Sequence, residues 1–168
     1  YKRQSLKTFT LDAEDMTIRR VRHNDKDISF DHSGDKLHIT LDNEIGWNDT
    51  LDIRIDYTSF PRAGAFFVSP DEIYPDKPWQ AWTQGEDTDN HHWVPMYDYP
   101  NERNTFEILL TVEKKFKAVS NGELISVKDN SDGTHTWHWH EHFPMVGYLM
   151  SFVVGEYVKI EDSYKDIP

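Results

Sequence analysis

Four histidines, His135, His138, His140 and His142, fall within eight residues of this 168-residue chain. On an extended strand, His138, His140 and His142 project from one face while Trp137, Trp139 and Glu141 project from the other. Three imidazoles on one face are weak candidates for a zinc site. The competing reading is a solvated strand face opposite a tryptophan-lined core, which is the ordinary pattern of a sheet with one wet side. Strand geometry favours the second reading. Alternate residues lie roughly 6.5–7 Å apart along the backbone, so the outer rings would have to lean inward together to share one ion. Nor is His140-Glu141-His142 a peptidase motif. H-E-x-x-H needs its histidines four apart on a helix, with the glutamate as general base.

A second constellation is Ala81-Trp82-Thr83-Gln84-Gly85-Glu86. In an extended chain Gln84 and Glu86 lie on the same side, and a carboxylate beside an amide oxygen makes a receptor for an ammonium group. Taken by itself the run also reads as an acidic loop facing water. Nucleophile chemistry finds little support, because the chain has no cysteine and no G-x-S-x-G elbow. Phosphate loops are absent too, since neither G-x-G-x-x-G nor G-x-x-x-x-G-K occurs.

The elements that must carry these residues show period-two alternation, the mark of half-buried strands. Leu37, Ile39 and Leu41 alternate with Lys36, His38, Thr40 and Asp42; Leu51, Ile53, Ile55 and Tyr57 with Asp52, Arg54 and Asp56. Phe106, Ile108, Leu110 and Val112 repeat the pattern, and shorter strands are predicted at 17–21, 65–68, 115–120, 123–128 and 134–140. Turn-forming runs such as Ser33-Gly34-Asp35, Asn121-Gly122 and Asn130-Ser131-Asp132-Gly133 bound them. Short strands at hairpin spacing, with no helix beyond two turns, predict an all-β fold: an antiparallel β-sandwich or saddle-like pair of sheets. The proline- and tryptophan-rich stretch from Pro70 to Pro100 breaks the rhythm, and long irregular loops of this kind are more often functional than not.

Composition narrows the partners. With 18 Lys+Arg against 30 Asp+Glu, the formal charge of −12 opposes nucleic-acid backbones and anionic membrane surfaces. No apolar run approaches the length of about 18 residues that a membrane helix needs. Residues 1–168 therefore read as a single β domain. Because the chain starts at Tyr1, with no basic-then-apolar leader after it, it is expected to be processed or excised.

Further blocks match in order. Trp82-Thr83-Gln84-Gly85-Glu86, then Val94-Pro95-Met96-Tyr97-Asp98-Tyr99-Pro100, then Thr105-Phe106-Glu107 resemble T-Q-x-E, F-P-C-x-D-E-P and K-A-T-F-E. That signature belongs to the N-terminal domain of the aminopeptidase N family of zinc metallopeptidases, which includes leukotriene hydrolase. Gly64-Ala65-Phe66-Phe67, Ala118-Val119-Ser120-Asn121-Gly122, Pro144-Met145 with Tyr148-Leu149, and Phe152 to Tyr157 are similar to other blocks of the family. The resemblance implies a saddle-like β domain that supports a downstream catalytic domain of the same polypeptide, with the stop at Asp166-Ile167-Pro168 near the place where that domain should begin, so that the chain is expected to be excised from a larger peptidase and to lack its first strands. It implies no catalytic residue in this chain, with zinc held by the absent domain and none bound here. By position, Gln84 resembles the glutamine that lines the pocket for the substrate's first side chain, and Glu86 the glutamate that holds the peptide's free α-ammonium. The chain departs from the family at His91-His92, where arginines are usual, at Met96 for cysteine and at Tyr99 for glutamate. The rival expectation is a stand-alone β-sandwich binding module that uses its tryptophans to stack on sugars, or binds a protein ligand.

Overall fold

The structure is a computed structural model that describes residues 5–46 and 48–163. Tyr1 and Asp166-Ile167-Pro168, on which the expectation of an excised chain rests, lie outside the described residues. The alternating segments form thirteen strands among the described residues. They are β1 (Leu6–Asp12), β2 (Met16–His23), β3 (Lys26–Asp27), β4 (Ser29–Ser33), β5 (Lys36–Ile45), β6 (Ile53–Ser59) and β7 (Ala65–Val68). β8 (Gln80–Thr83), β9 (Arg103–Glu113), β10 (Lys117–Ser120), β11 (Glu123–Asp129), β12 (Thr134–Val146) and β13 (Phe152–Gly155) follow. The helical content described is two 3-10 turns, Asn90–His92 and Gly147–Leu149. Among the described residues no helix is long and apolar enough to cross a membrane.

The described residues group into two compact units. The first comprises described residues 5–46, 48–66, 83–104 and 144–151. Within it two three-stranded sheets, ordered β1-β5-β4 and β3-β2-β6, are joined by antiparallel pairing throughout. Alternation on β5 does what its pattern dictates. Leu37, Ile39 and Leu41 are at most 1% exposed, while His38, Thr40 and Asp42 face water. Val21 of β2, Ala13 and Ile28 complete the buried cluster, with Phe9, Leu11, Ile18, Phe30 and Ile55 packed around it. Each fully buried Leu, Ile or Val is worth about 1.5–3 kcal/mol relative to exposure, so this sandwich core is the main stabiliser of the unit. At the β2–β3 hairpin, Asn24 and Asp25 adopt φ of 49° and 62°, the paired left-handed conformation that a two-residue hairpin needs and that Asn and Asp tolerate.

The second unit comprises described residues 67–82, 105–143 and 152–163. Its strands belong to sheets ordered β10-β13-β8-β7 and β11-β12-β9. The buried Ala118 and Val154 face each other in the β10–β13 register. Trp137 and Trp139, expected in the core, are only half-buried, and Trp139 donates its indole N–H to the Ala118 carbonyl at 3.0 Å. An indole keeps one polar edge, so it settles where a carbonyl is within reach.

Ile39→Ala should lower unfolding free energy by about 2–5 kcal/mol, the range for emptying a packed aliphatic site. Phe60→Ala, at a residue 73% exposed in the same unit, should cost far less. Urea denaturation of the two variants checks the difference.

Candidate functional site

The Gln84–Glu86 loop leaves β8 with its backbone tied down. The Gln84 N–H donates to the Gly64 carbonyl at 2.9 Å, and the Asp89 N–H donates to the Gly85 carbonyl at 2.9 Å. Gly85 is buried, and a Cβ there would lie 2.3 Å from Asn90 Oδ1, so the position admits only glycine without displacing Asn90. Gly64 carries a φ of +73° and passes so close that a Cβ would lie 1.9 Å from the Asp89 carbonyl oxygen. The side chains behave differently. Gln84 and Glu86 are both exposed, and among the described residues neither side chain has a hydrogen-bond or ion-pair partner. A fixed backbone thus presents an amide and a carboxylate with unused acceptors.

Asn90 is the anchor. It is fully buried, and its Nδ2 donates to the carbonyls of Gly147 at 2.8 Å and Met150 at 3.0 Å. Its Oδ1 accepts the Trp93 indole N–H at 2.8 Å. Both amide protons and one face of the oxygen are therefore satisfied, which is what makes a buried amide tolerable.

Beyond Asn90 lies a dense polar cluster. Asp98, 3% exposed, accepts from the His91 backbone N–H and from His91 Nδ1, both at 3.0 Å. Its own N–H donates to Asp12, whose carboxylate also pairs with Lys36. Asp15 accepts from His92 Nδ1 at 2.8 Å and from the Arg62 backbone N–H and guanidinium at 2.9 and 2.6 Å. Arg62 reaches on to Glu14 Oε1 at 2.7 Å. Because ionised carboxylates only accept, both histidines carry a proton on Nδ1. The Asp98 hydrogen bond raises the pKa of His91 above the usual imidazole value, against the opposing effect of burial. Burial pushes Asp15 upward, but the Arg62 and His92 donors outweigh it and hold this carboxyl below the ordinary range.

The histidine strip is arranged otherwise. His138 Nε2 pairs with Glu107 at 2.7 Å, the same glutamate lies 4.0 Å from His140 Nε2, and His142 Nε2 stands 3.7 Å from Glu123. Among the described residues, the only trio of potential metal donors within 4.8 Å of one another is Glu14, His91 and His92. In the sequence His91 and His92 stand out as the end of the acidic run after Glu86 and as departures from a motif, with nothing to mark them as metal donors. Glu14 lies far away in the chain, with no local signal linking it to them.

A family model described as the peptidase M1 N-terminal domain matches residues 2–149. A "Probable aminopeptidase 1" of Saccharolobus solfataricus is 27% identical over 158 residues, covering 92% of this chain and 19% of that protein. The leukotriene A-4 hydrolase of Xenopus laevis is 26% identical over 166 residues, covering 90% of this chain and 26% of its own. Among solved structures, an M1 zinc metallopeptidase from Deinococcus radiodurans superposes with a TM-score of 0.78 at 19% identity, covering 91% of this chain and 35% of that one. The chain thus spans about a fifth to a quarter of these two curated relatives.

Asn90→Ala should destabilise the chain by at least about 2 kcal/mol, since each buried polar group left without a partner costs roughly 1–3 kcal/mol. Asn90→Asp, nearly isosteric, should be no better tolerated, because it sets an oxygen against the Gly147 and Met150 carbonyls. Chemical denaturation of both variants tests whether this amide anchors the loop.

Proposed function

The chain belongs to the family of peptidase M1 N-terminal domains, and from that premise we propose that it is the support and substrate-binding domain of a zinc-dependent aminopeptidase. In this reading Glu86 holds the free α-ammonium of a peptide, and Gln84 lines the space for its first side chain. The observation that carries the reading is the pairing of a clamped loop backbone with two exposed, unpartnered acceptors. Such a carboxylate selects by charge. An ammonium enclosed beside it is paired, whereas a blocked N-terminus would leave the carboxylate desolvated without a partner. A loop that is already ordered adds little ordering cost when substrate binds.

The residues present do not fit a catalytic zinc centre of the family's kind, because H-E-x-x-H does not occur anywhere in the 168 residues. Catalytic zinc and the general base would belong to a downstream domain of the parent polypeptide. The contribution of this chain is binding and orientation.

In the parent enzyme Glu86→Ala should lower kcat/KM on free-amine substrates by about 2–4 kcal/mol, the scale for losing one member of a desolvated charge pair. Gln84→Ala should have a smaller effect that varies with the first side chain. Unchanged kcat/KM in Glu86→Ala would remove this residue from the site. The 168-residue chain alone should hydrolyse no aminoacyl substrate, and chelator-sensitive turnover by it would contradict the assignment.

A further inference from the structure

The polar cluster around Glu14, His91 and His92 has the construction of a metal site. Each histidine spends Nδ1 on a mostly buried carboxylate, His91 on Asp98 at 3.0 Å and His92 on Asp15 at 2.8 Å. This leaves the two Nε2 atoms, which approach the same oxygen, Glu14 Oε2, at 3.7 and 4.0 Å. The rings are stacked, with centroids 4.6 Å apart and planes 27° from parallel, and both Nε2 atoms face the same glutamate oxygen. Metal-bound histidines almost always donate their other ring N–H to a carboxylate or carbonyl, which fixes the tautomer and makes the ligating nitrogen more basic. Here that outer layer is present twice.

We propose that Glu14, His91 and His92 form a binding site for a first-row divalent cation of the zinc class. With bonds of about 2.0–2.1 Å, a tetrahedral ion needs donors roughly 3.3 Å apart, so the two contacts to Glu14 would close by less than an ångström. All three donor atoms already lie within 4.8 Å of one another. Glu14 remains 33% exposed, with His91 and His92 at 17% and 12%, which gives the ion a path in and leaves a position for water. The charge balance also suits a dication. Five carboxylates, Asp12, Glu14, Asp15, Asp35 and Asp98, lie around the imidazoles and the two fixed cations Lys36 and Arg62. Arg62 occupies Oε1 of Glu14, and Oε2 is the oxygen turned to the histidines. Two imidazoles and one carboxylate select zinc, cobalt, nickel or copper(II) over calcium and magnesium, which prefer sets made wholly of oxygen.

Such an ion would bridge the β1–β2 corner, where Glu14 sits, to the 3-10 turn Asn90–His92 that follows the Gln84–Glu86 loop. Its role is that of a clasp. The proposal departs from the expectation that this chain holds no metal, and it stands whether or not the peptidase reading does.

The test is isothermal titration of the metal-stripped 168-residue chain with zinc chloride, repeated with cobalt(II) and followed by its visible absorption. One equivalent should bind. Glu14→Gln keeps the side-chain shape and an oxygen for Arg62, and His92→Asn keeps an N–H donor within reach of Asp15 while deleting Nε2. Each should weaken zinc affinity by at least about tenfold. His138→Asn and His140→Asn should leave it unchanged, and circular dichroism confirms that all four variants are folded. Absence of zinc binding by the parent chain would overturn the proposal. So would affinity that survives both Glu14→Gln and His92→Asn, or that is lost with the β12 histidines instead.

Discussion

A carboxylate taken out of water has to meet donors, and Asp98 and Asp15 impose that demand on everything around them. Desolvating one ion costs several kcal/mol unless charge and hydrogen bonds compensate. Asp98, 3% exposed, is met by the backbone and ring of His91. Asp15, with its side chain 8% exposed, is met by His92 and by both the backbone and guanidinium of Arg62. These donors come from segments far apart in sequence. Satisfying two carboxylates therefore fixes how the β1–β2 corner, the turn at Asn90–His92 and the chain near Arg62 converge within the first unit.

The apolar core supplies the driving force that makes this convergence affordable. Ala13 is fully buried between Asp12 and Glu14, so the corner is held from its apolar side by the same cluster that contains Val21, Leu37 and Ile39. Backbone pairing then extends the grip outward. Asp12 and Met96 exchange hydrogen bonds of 2.7 and 3.0 Å as an isolated antiparallel bridge, and the Glu14 N–H donates to the His91 carbonyl at 3.0 Å. Asn90 completes the frame by hydrogen bonding to the carbonyls of Gly147 and Met150. Core burial is non-directional and would permit many arrangements of a surface loop. Directional bonds to buried polar atoms select among them, and the fixed backbone beneath Gln84 and Glu86 is one result.

How much of this was legible in the sequence depended on the range of the interaction that decides each feature. Alternation marked β2, β5, β6, β9 and β12 because one buried face is a local property of a strand, and Ala65–Val68 was found at its observed limits. β4 carries one large apolar residue, Phe30; β8 is four residues long; β13 is a continuous apolar run with no period to read. Those strands exist through their neighbours. Gln84 and Glu86 were reached through an ordered set of motifs, since nothing in their own spacing separates a receptor from a wet acidic loop. Asn90 and Glu14 gave no signal at all. The carbonyls that hold the Asn90 amide lie 57 and 60 residues away and the Arg62 partner of Glu14 lies 48 away, so only the folded chain brings them together.

His91 and His92 stand where the motif that the chain resembles carries arginines, and imidazoles set a different electrostatic problem at this corner. A guanidinium carries its charge at any physiological pH and would offset buried carboxylates permanently. Imidazole does so only with a second proton or a bound cation. With Nδ1 of each ring committed to Asp98 and Asp15, any added positive charge must arrive at Nε2, and both Nε2 atoms face Glu14 Oε2. The corner thus couples its compactness to whatever occupies the space between three donors. Because Asn90 sits in the same 3-10 turn and packs directly under Gly85, that occupancy bears on the loop presenting Gln84 and Glu86 through two adjacent residues of rigid backbone.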